Sequence, residues 1–509
     1  MASRDDPLML GLDAGTTRVR ALVFAPDGTL VAEGSAPTPL DYPRPGWADY
    51  DPADLWAAAV AALRGATAQL DDPRRIVGLA AASVGESAVP IDAADRPTSR
   101  AIAWFDKRTE DQVAFLERTI GLEALSLRTG MRLEPIGGLC KMLWFREHEP
   151  EAFARTRIWL HIAEFLAWKL SGQAATDHSL ASRTLAMDIK TLAWADDLLD
   201  ELDIPDGLFQ PLTAAGTPLG PVTAEAAAET GLPETCTVAV GGHDHILGAL
   251  AIGALAPGAL LDSLGTAEAL LFARDAPLTD PQLARDGYAQ GVLVIEKPLY
   301  YFLDGLFTSG ACVDWFRREL ADNAGHAELI AAGEAVPPGS IGVHFLPHFR
   351  IGSPPFPGGA ARGAFFGLST DVTRAELYRA LLEGLAYDAH GIVDGMLALS
   401  PETAVDRILA TGGESRNALL MRIKASVYDR PIEIVEQPEA VSLGAALLGG
   451  LAAGVYDSLD AALAAVRPAS HTVAPEPDWV PLYADRFANV FRPAHRALAP
   501  LYEAAQRDV

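Results

Sequence analysis

Residues Leu8 to Val23 read LMLGLDAGTTRVRALV, a pattern of strand, tight turn and strand. The apolar run from Leu8 to Leu12 ends on Asp13, and Ala14-Gly15-Thr16-Thr17 supplies a turn of small residues whose amides and hydroxyls can face a phosphate. Arg20 to Phe24 resumes the strand, and Pro26-Asp27-Gly28 turns it into a third, Thr29 to Gly34. A carboxylate at a strand end beside such a turn can hold a divalent cation, which neutralises a polyphosphate. A plain β-meander with a glycine turn has the same pattern, so this segment alone leaves both readings open.

A second passage weighs against the plain meander. Ala259 to Phe272 reads ALLDSLGTAEALLF, again an apolar strand, an acid (Asp262), a Gly265-Thr266 turn and an apolar strand. Two such hairpins in separate halves of one chain suggest a duplicated fold with a nucleotide clamped between the copies.

The chain has 509 residues, half of them hydrophobic, and that length favours two or three domains over one core. Acidic residues outnumber basic ones by 67 to 40, a formal charge of −27. That charge argues against nucleic acid or an anionic membrane as partner, since both reward a basic surface. Binding an anionic nucleotide must then rest on turn amides, a metal and selected arginines. Cys140, Cys236 and Cys312 lie far apart without metal-ligand spacing and are expected as small core residues in a reducing, cytoplasmic setting. The N-terminus lacks the basic-then-apolar layout of a signal peptide. The apolar stretch Ile246 to Leu261 is broken by glycines and Pro257, so it is not expected to span a membrane.

Between the hairpins, Asp51-Pro52 reads as an N-cap and first turn opening a helix through Leu63. Ile76 to Ala82 and Ala88 to Ile91 read as strands flanking Ser83, Gly85, Glu86 and Ser87, where a carboxylate can bind a substrate hydroxyl. Ala101 to Thr109, AIAWFDKRT, puts Asp106 after a short apolar strand. Glu110 to Leu170 is expected to be largely helical, including Trp159 to Leu170. The strand Val238 to Val240 runs into Gly241-Gly242-His243-Asp244-His245 and then a small-residue helix. A carboxylate at that junction can serve as general base for a hydroxyl, with glycines in front that let a substrate approach the backbone. A metal site from His243, Asp244 and His245 is disfavoured, because adjacent residues on a tight turn seldom converge on one ion. In the second half come a Pro/Gly-rich loop from Pro347 to Arg362 and a periodic helix from Thr373. The strand Arg407 to Thr411 then ends in Gly412-Gly413-Glu414-Ser415-Arg416-Asn417, a surface on which a nucleoside can lie against bare backbone. Trp479 to Arg507 is expected as a C-terminal helical segment.

In this order the parts resemble the FGGY family of carbohydrate kinases, within the actin-like ATPase superfamily. The landmarks are GLDAGTTRVRALVF, PGWADYDPADLW, AIAWFDKRT, KMLWFREHEPEAFA, TDHSLASRT, GGHDH, SLGTAEAL, ARGAFFGL, LYRALLEGLAY, TGGESRNALLMRIKA and EAVSLGAALL, in family order over most of the chain. The resemblance implies an α/β fold of two ribonuclease-H-like domains, residues 1–253 and 254–509, with a nucleotide and sugar cleft between them. It implies ATP with Mg²⁺, and an open-chain sugar or polyol of ketopentose, pentitol or tetritol type as acceptor. Asp244 matches the family's catalytic base and Asp13 its Mg²⁺-side acid. Gly15, Thr16, Thr17 and Arg20 match the first phosphate loop, Gly265 and Thr266 the second, and Gly412, Gly413 and Asn417 the adenosine loop. Glu86, Asp106 and His245 are the candidates for substrate hydroxyls. Where xylulose kinases carry Gln-Met-His-Gly this chain has Val84-Gly85-Glu86-Ser87, and the glutamine that follows the base in glycerol kinases is His245 here. Neither nucleic acid nor a membrane is expected as partner, and a homodimer is compatible with this reading. The alternative is an actin-fold nucleotide-binding regulator, or an ATPase driven by a protein partner, without sugar phosphorylation.

Overall fold

The computed structural model describes residues 6–349, 354–355 and 362–505, so most of the loop expected from Pro347 to Arg362 lies outside the described residues. Two mixed sheets carry the fold. In the first, the meander β1 (Leu8–Ala14), β2 (Arg18–Phe24) and β3 (Leu30–Pro37) is antiparallel. It is extended on the β1 side by β4 (Ile76–Ser83), then by β5 (Pro218–Pro221) and β6 (Thr237–His243), in the order β5-β6-β4-β1-β2-β3. β1, β4 and β6 are parallel.

The second sheet repeats the plan. β7 (Ala259–Leu264), β8 (Glu268–Arg274), β9 (Gln290–Val294) and β10 (Pro298–Leu306) make an antiparallel set. β11 (Arg407–Thr411), β12 (Ile432–Val435) and β13 (Ser470–Val473) complete the order β9-β10-β8-β7-β11-β12-β13, with β7, β11 and β12 parallel. The central strands are apolar runs buried on both faces, as parallel strands covered by helices must be. Helices occupy corresponding places: α1 (Pro52–Thr67) and α2 (Ile162–Ser171) in the first half match α5 (Arg374–Ala398) and α6 (Ala418–Tyr428) in the second. Likewise α3 (Asp244–Ala251) matches α7 (Ala440–Ala452), while α4 (Gly310–Leu320) follows β10. The duplication expected from the two hairpins is therefore present at the level of topology.

The helices α3 and α7 form the seam between the two sheets. Ile246, Leu247 and Leu250 of α3 share one core with Ala80 and Ala239 of the first sheet and Leu261, Leu271 and Leu409 of the second. Glycines set how close α7 comes: a methyl on Gly11 would lie 1.8 Å from the Ser442 carbonyl oxygen, and one on Gly444 would lie 2.0 Å from that of Leu247. Thus α7, although it lies in the second half of the chain, packs directly on the first sheet.

Trp159 to Leu170 is only partly helical. Thr156–His161 is a strand paired antiparallel with Ala88–Asp92, and the helix begins at Ile162. The β-branched and aromatic residues of the strand suit a pleated surface, and Glu164 starts the helix by accepting the His161 amide at 2.9 Å. All three cysteines are buried and free. No helix of the described residues is long and apolar enough to cross a membrane.

Candidate active site

Three neighbouring parallel strands end together, and their ends carry the acids. Asp13 near the end of β1 lies opposite Ala82 of β4, and His243 at the end of β6 lies opposite Ser83. The carboxyl ends of parallel strands are where open α/β sheets form ligand crevices. Asp244 follows at once as the first residue of α3, where a negative charge favours the helix N-terminus. Its Oδ1 accepts the His245 amide at 2.6 Å. Burial raises the Asp244 pKa, with Glu86 adding to the rise while His245 and Arg183 oppose it. Asp13 is pushed up to about 7, first by burial and then by the charge of Asp244. Arg20 stands 3.6 Å from Asp13 but pairs more closely with Glu439, at 2.6 Å. The buried Asp13 and half-buried Asp244, the charge of the second raising the pKa of the first, with one partly committed arginine, make a donor set that suits a divalent cation.

The strand β4 ends in a strained loop. Glu86 has φ +59°, in the left-handed region that costs a non-glycine residue energy and is kept where surroundings enforce it. The buried ammonium of Lys141 enforces it, donating to the backbone carbonyls of Glu86 at 2.8 Å and Ala103 at 3.0 Å. Burial pulls that ammonium down to about 8, with Glu86 and Asp106 opposing. The Glu86 side chain receives Arg183 Nε at 2.5 Å. Behind it, burial and the Arg183 charge hold the His243 pKa well below its ordinary value, so its ring is neutral at physiological pH.

Within AIAWFDKRT the residue that faces the cleft is Trp104, whose Nε1 donates to Thr16 Oγ1 at 2.9 Å. Asp106, expected on substrate hydroxyls, turns the other way and is fully buried. Its oxygens accept the Ala48 amide at 2.6 Å, the Arg108 amide at 2.7 Å and the Arg108 guanidinium at 2.6 Å. Arg108 also binds Asp49 at 2.6 Å and lies over the Trp47 ring. Asp106 is therefore a brace that ties this loop to the segment around Trp47, and the substrate assignment does not hold. The sequence could not separate the two because residues of a loop have no fixed facing period.

The strand ends open on a cavity of about 250 Å³ between the two sheets. Thr16, Glu86, Arg183, Asp244 and His245 line one side, and Ala267, Glu268, Asp304 and Phe307 line the other. His245 is exposed at the mouth. Arg132 joins the halves, pairing with Glu134 at 2.8 Å and Asp304 at 3.7 Å. Burial pushes Asp304 up to about 6, with Arg132 pulling against it. Arg132, Arg183, Asp304 and Phe307 were not singled out from sequence. Arg183 stood inside TDHSLASRT, whereas Arg132 and Asp304 carry no local signal and meet only in the fold.

The first turn is drawn tight by Gly15 N–H to Arg18 O at 3.1 Å and by Thr38 Oγ1 to Gly15 O at 2.7 Å, leaving Thr17 exposed. At the second hairpin, the amides of Ser309 and Gly310 donate to Thr266 O and Gly265 O at 3.0 Å each, which seats the N-terminus of α4 against the turn. Gly412, at φ +97°, lies where a methyl would be 2.3 Å from Leu264 O, so Gly412-Gly413 runs along the same turn. Asn417 caps α6, accepting from Leu420 N at 3.2 Å and donating to Tyr378 Oη at 3.1 Å. Both ends of its carboxamide are thus engaged in holding the arm that presents the glycine pair.

Models of the N-terminal and C-terminal domains of the FGGY family of carbohydrate kinases match residues 8–251 and 260–453. A glycerol kinase of Dechloromonas aromatica is 31% identical over 98% of each chain, and a xylulose kinase of Bacillus subtilis is 26% identical over 89% of each. Among solved structures, a xylulose kinase from Rhodospirillum rubrum superposes with a TM-score of 0.88 at 30% identity, covering 97% of this chain and all of that one.

Proposed function

This chain belongs to the FGGY family of carbohydrate kinases, and we propose that it transfers the γ-phosphoryl group of ATP to a hydroxyl of a neutral open-chain sugar or polyol, of ketopentose, pentitol or tetritol type. The observation that carries the reading is the position of Asp244, at a helix N-terminus on the floor of an interdomain cavity, opposite the Gly265-Thr266 turn's sheet and beside Asp13.

Asp244 is the base. Its raised pKa brings it nearer neutrality than an ordinary carboxylate, which improves proton acceptance from an alcohol as that oxygen attacks phosphorus. The two hairpin turns offer amides and hydroxyls to phosphate oxygens from opposite walls, and Gly412-Gly413 offers bare backbone to the nucleoside. Asp13 would hold Mg²⁺, which when bound neutralises charge on the phosphates. Closing the cleft excludes water that would otherwise compete for the phosphoryl group. Little else is asked of the protein, because phosphoryl transfer depends chiefly on positioning and charge neutralisation.

Charge balance supports a neutral acceptor. Each arginine lining the cavity faces a carboxylate: Arg183 faces Glu86, and Arg132 faces Glu134 and Asp304. With Asp244 added, the lining holds more carboxylates than arginines, so a sugar acid would meet repulsion while hydroxyls would find acceptors. Glu86 and His245 line the cavity and are the residues assigned to such hydroxyls in this reading.

The test is ADP release with Mg²⁺-ATP across glycerol, tetritols, pentitols, ketopentoses, ketohexoses and aldonates. Turnover confined to neutral open-chain acceptors is expected. Preference for an aldonate would overturn the acceptor class, and ATP turnover indifferent to every sugar would overturn the kinase assignment.

A further inference from the structure

Far from the cavity, three buried side chains from distant parts of the chain converge. His348 follows the strand His344–Leu346, Asp388 lies within α5, and His495 lies in the first turn of α8 (Arg492–Ala505). His348 Nε2 and His495 Nε2 are 2.9 Å apart, and Asp388 Oδ1 lies 3.7 Å from the first and 3.5 Å from the second. We propose that these three side chains form a structural binding site for a divalent transition-metal ion, Zn²⁺ by preference.

A hydrogen bond between the imidazoles would account for the shortest edge of this triangle. The Asp388 carboxylate stands 3.5 and 3.7 Å from the two rings, within reach of an ion shared by all three atoms. Three edges of 2.9, 3.5 and 3.7 Å leave room for one shared ion: a point about 2.1 Å from all three atoms, within the usual length of zinc bonds to imidazole nitrogen and carboxylate oxygen, stands roughly 0.7 Å out of their plane. The rings are steeply inclined, at 67°, so they meet edge to edge and do not stack. Beside Asp388 and His495 is a cavity of about 10 Å³, walled by Pro354, Pro355 and Phe491, close to the room one water needs. A solvent fourth ligand would complete a tetrahedron. Two nitrogens and one oxygen with no sulfur favour Zn²⁺ over softer ions, and burial without a substrate-sized cavity favours a structural role.

Such an ion would fasten the C-terminal helix to the second half of the fold. It would also reach the nucleotide side: the carbonyl of Pro347, next to His348, accepts Thr308 Oγ1 at 2.7 Å, and the neighbouring Ser309 amide holds Thr266.

The experiment is metal analysis of the full chain dialysed against micromolar Zn²⁺, with thermal unfolding before and after chelation. About one ion per chain is expected, and chelation should lower Tm by roughly 5 °C. His348→Gln and His495→Gln should each lower occupancy at least tenfold and make Tm insensitive to the chelator. Less than about 0.1 ion per wild-type chain, or full occupancy in both variants, would overturn the site. Should the variants misfold, Co²⁺ titration of metal-free wild type decides. Saturable tetrahedral-type absorption at one ion per chain supports the site, and only the weak spectrum of hydrated Co²⁺ overturns it.

Discussion

In the first hairpin Asp13 stands two residues before Gly15; in the second Asp262 stands three before Gly265. Side chains alternate along a strand, so this one-residue offset sends the two acids to opposite faces. Asp13 lies next to Asp244, which lines the cavity, with Arg20 3.6 Å away. Asp262 looks into the core of the second half, where the fully buried Lys424 of α6 binds it at 2.6 Å and Glu268 at 2.6 Å. Glu268 in turn accepts Ser309 Oγ at 2.8 Å. The repeated topology thus holds one acid available to a ligand and another locked in a brace beneath the turn. Ser263, by its count to the glycine, occupies the place that corresponds to Asp13.

If the division is right, removing a charge at the first acid and removing the lysine that holds the second have opposite consequences. Asp13→Asn should cut turnover by roughly 10²–10³, as loss of a charge-organising group at a phosphoryl-transfer site does, in a steady-state ADP-release assay. The same variant should be more stable than wild type at alkaline pH without Mg²⁺-nucleotide. The folded pKa of Asp13, about 7, lies above the 3.8 of an ordinary aspartate. Its contribution therefore favours folding fully below the unfolded value and is lost as pH rises through 7. The Tm gap between variant and wild type should widen from pH 5 to pH 8; a gap that narrows would contradict the assignment.

Lys424→Met should behave in the reverse manner, destabilising by about 3–5 kcal/mol, because it strands two buried carboxylates. Urea unfolding measures the loss, and adding Glu268→Gln in a double-mutant cycle should recover part of it. A surface-like effect under about 0.5 kcal/mol would mean the brace is not formed.

Two smaller effects sharpen the contrast. With Asp13 at about 7 and Asp244 raised beside it, the acid limb of kcat/KM should fall near pH 7 as a property of the pair, in place of the usual carboxylate range near 4. Arg20→Met should move that limb slightly higher, since Arg20 lowers the Asp13 pKa; a downward move would show that Arg20 acts otherwise.

Both hairpins, the suggestion of a duplicated fold and the Asp244 junction were legible in sequence, because alternating apolar runs and glycine turns are local signals. The Asp51 cap of α1 and a helix opening at Thr373 were read within a residue of where they are observed, for the same reason. What was not legible depended on facing. Asp262 looked equivalent to Asp13 until register separated them, and Asp106 looked available until Arg108 and Ala48 were seen to enclose it. Arg132 and Asp304 meet across the seam from residues far apart in the chain, and no window of sequence brings them together.

The central claim is that Asp244 is the base, and Asp244→Asn tests it most directly when nucleotide binding and phosphotransfer are measured on the same preparation. The prediction is a folded protein that binds ATP as wild type does while acceptor-dependent ADP release falls by roughly 10²–10⁴. Turnover near the wild-type rate would remove Asp244 from that role.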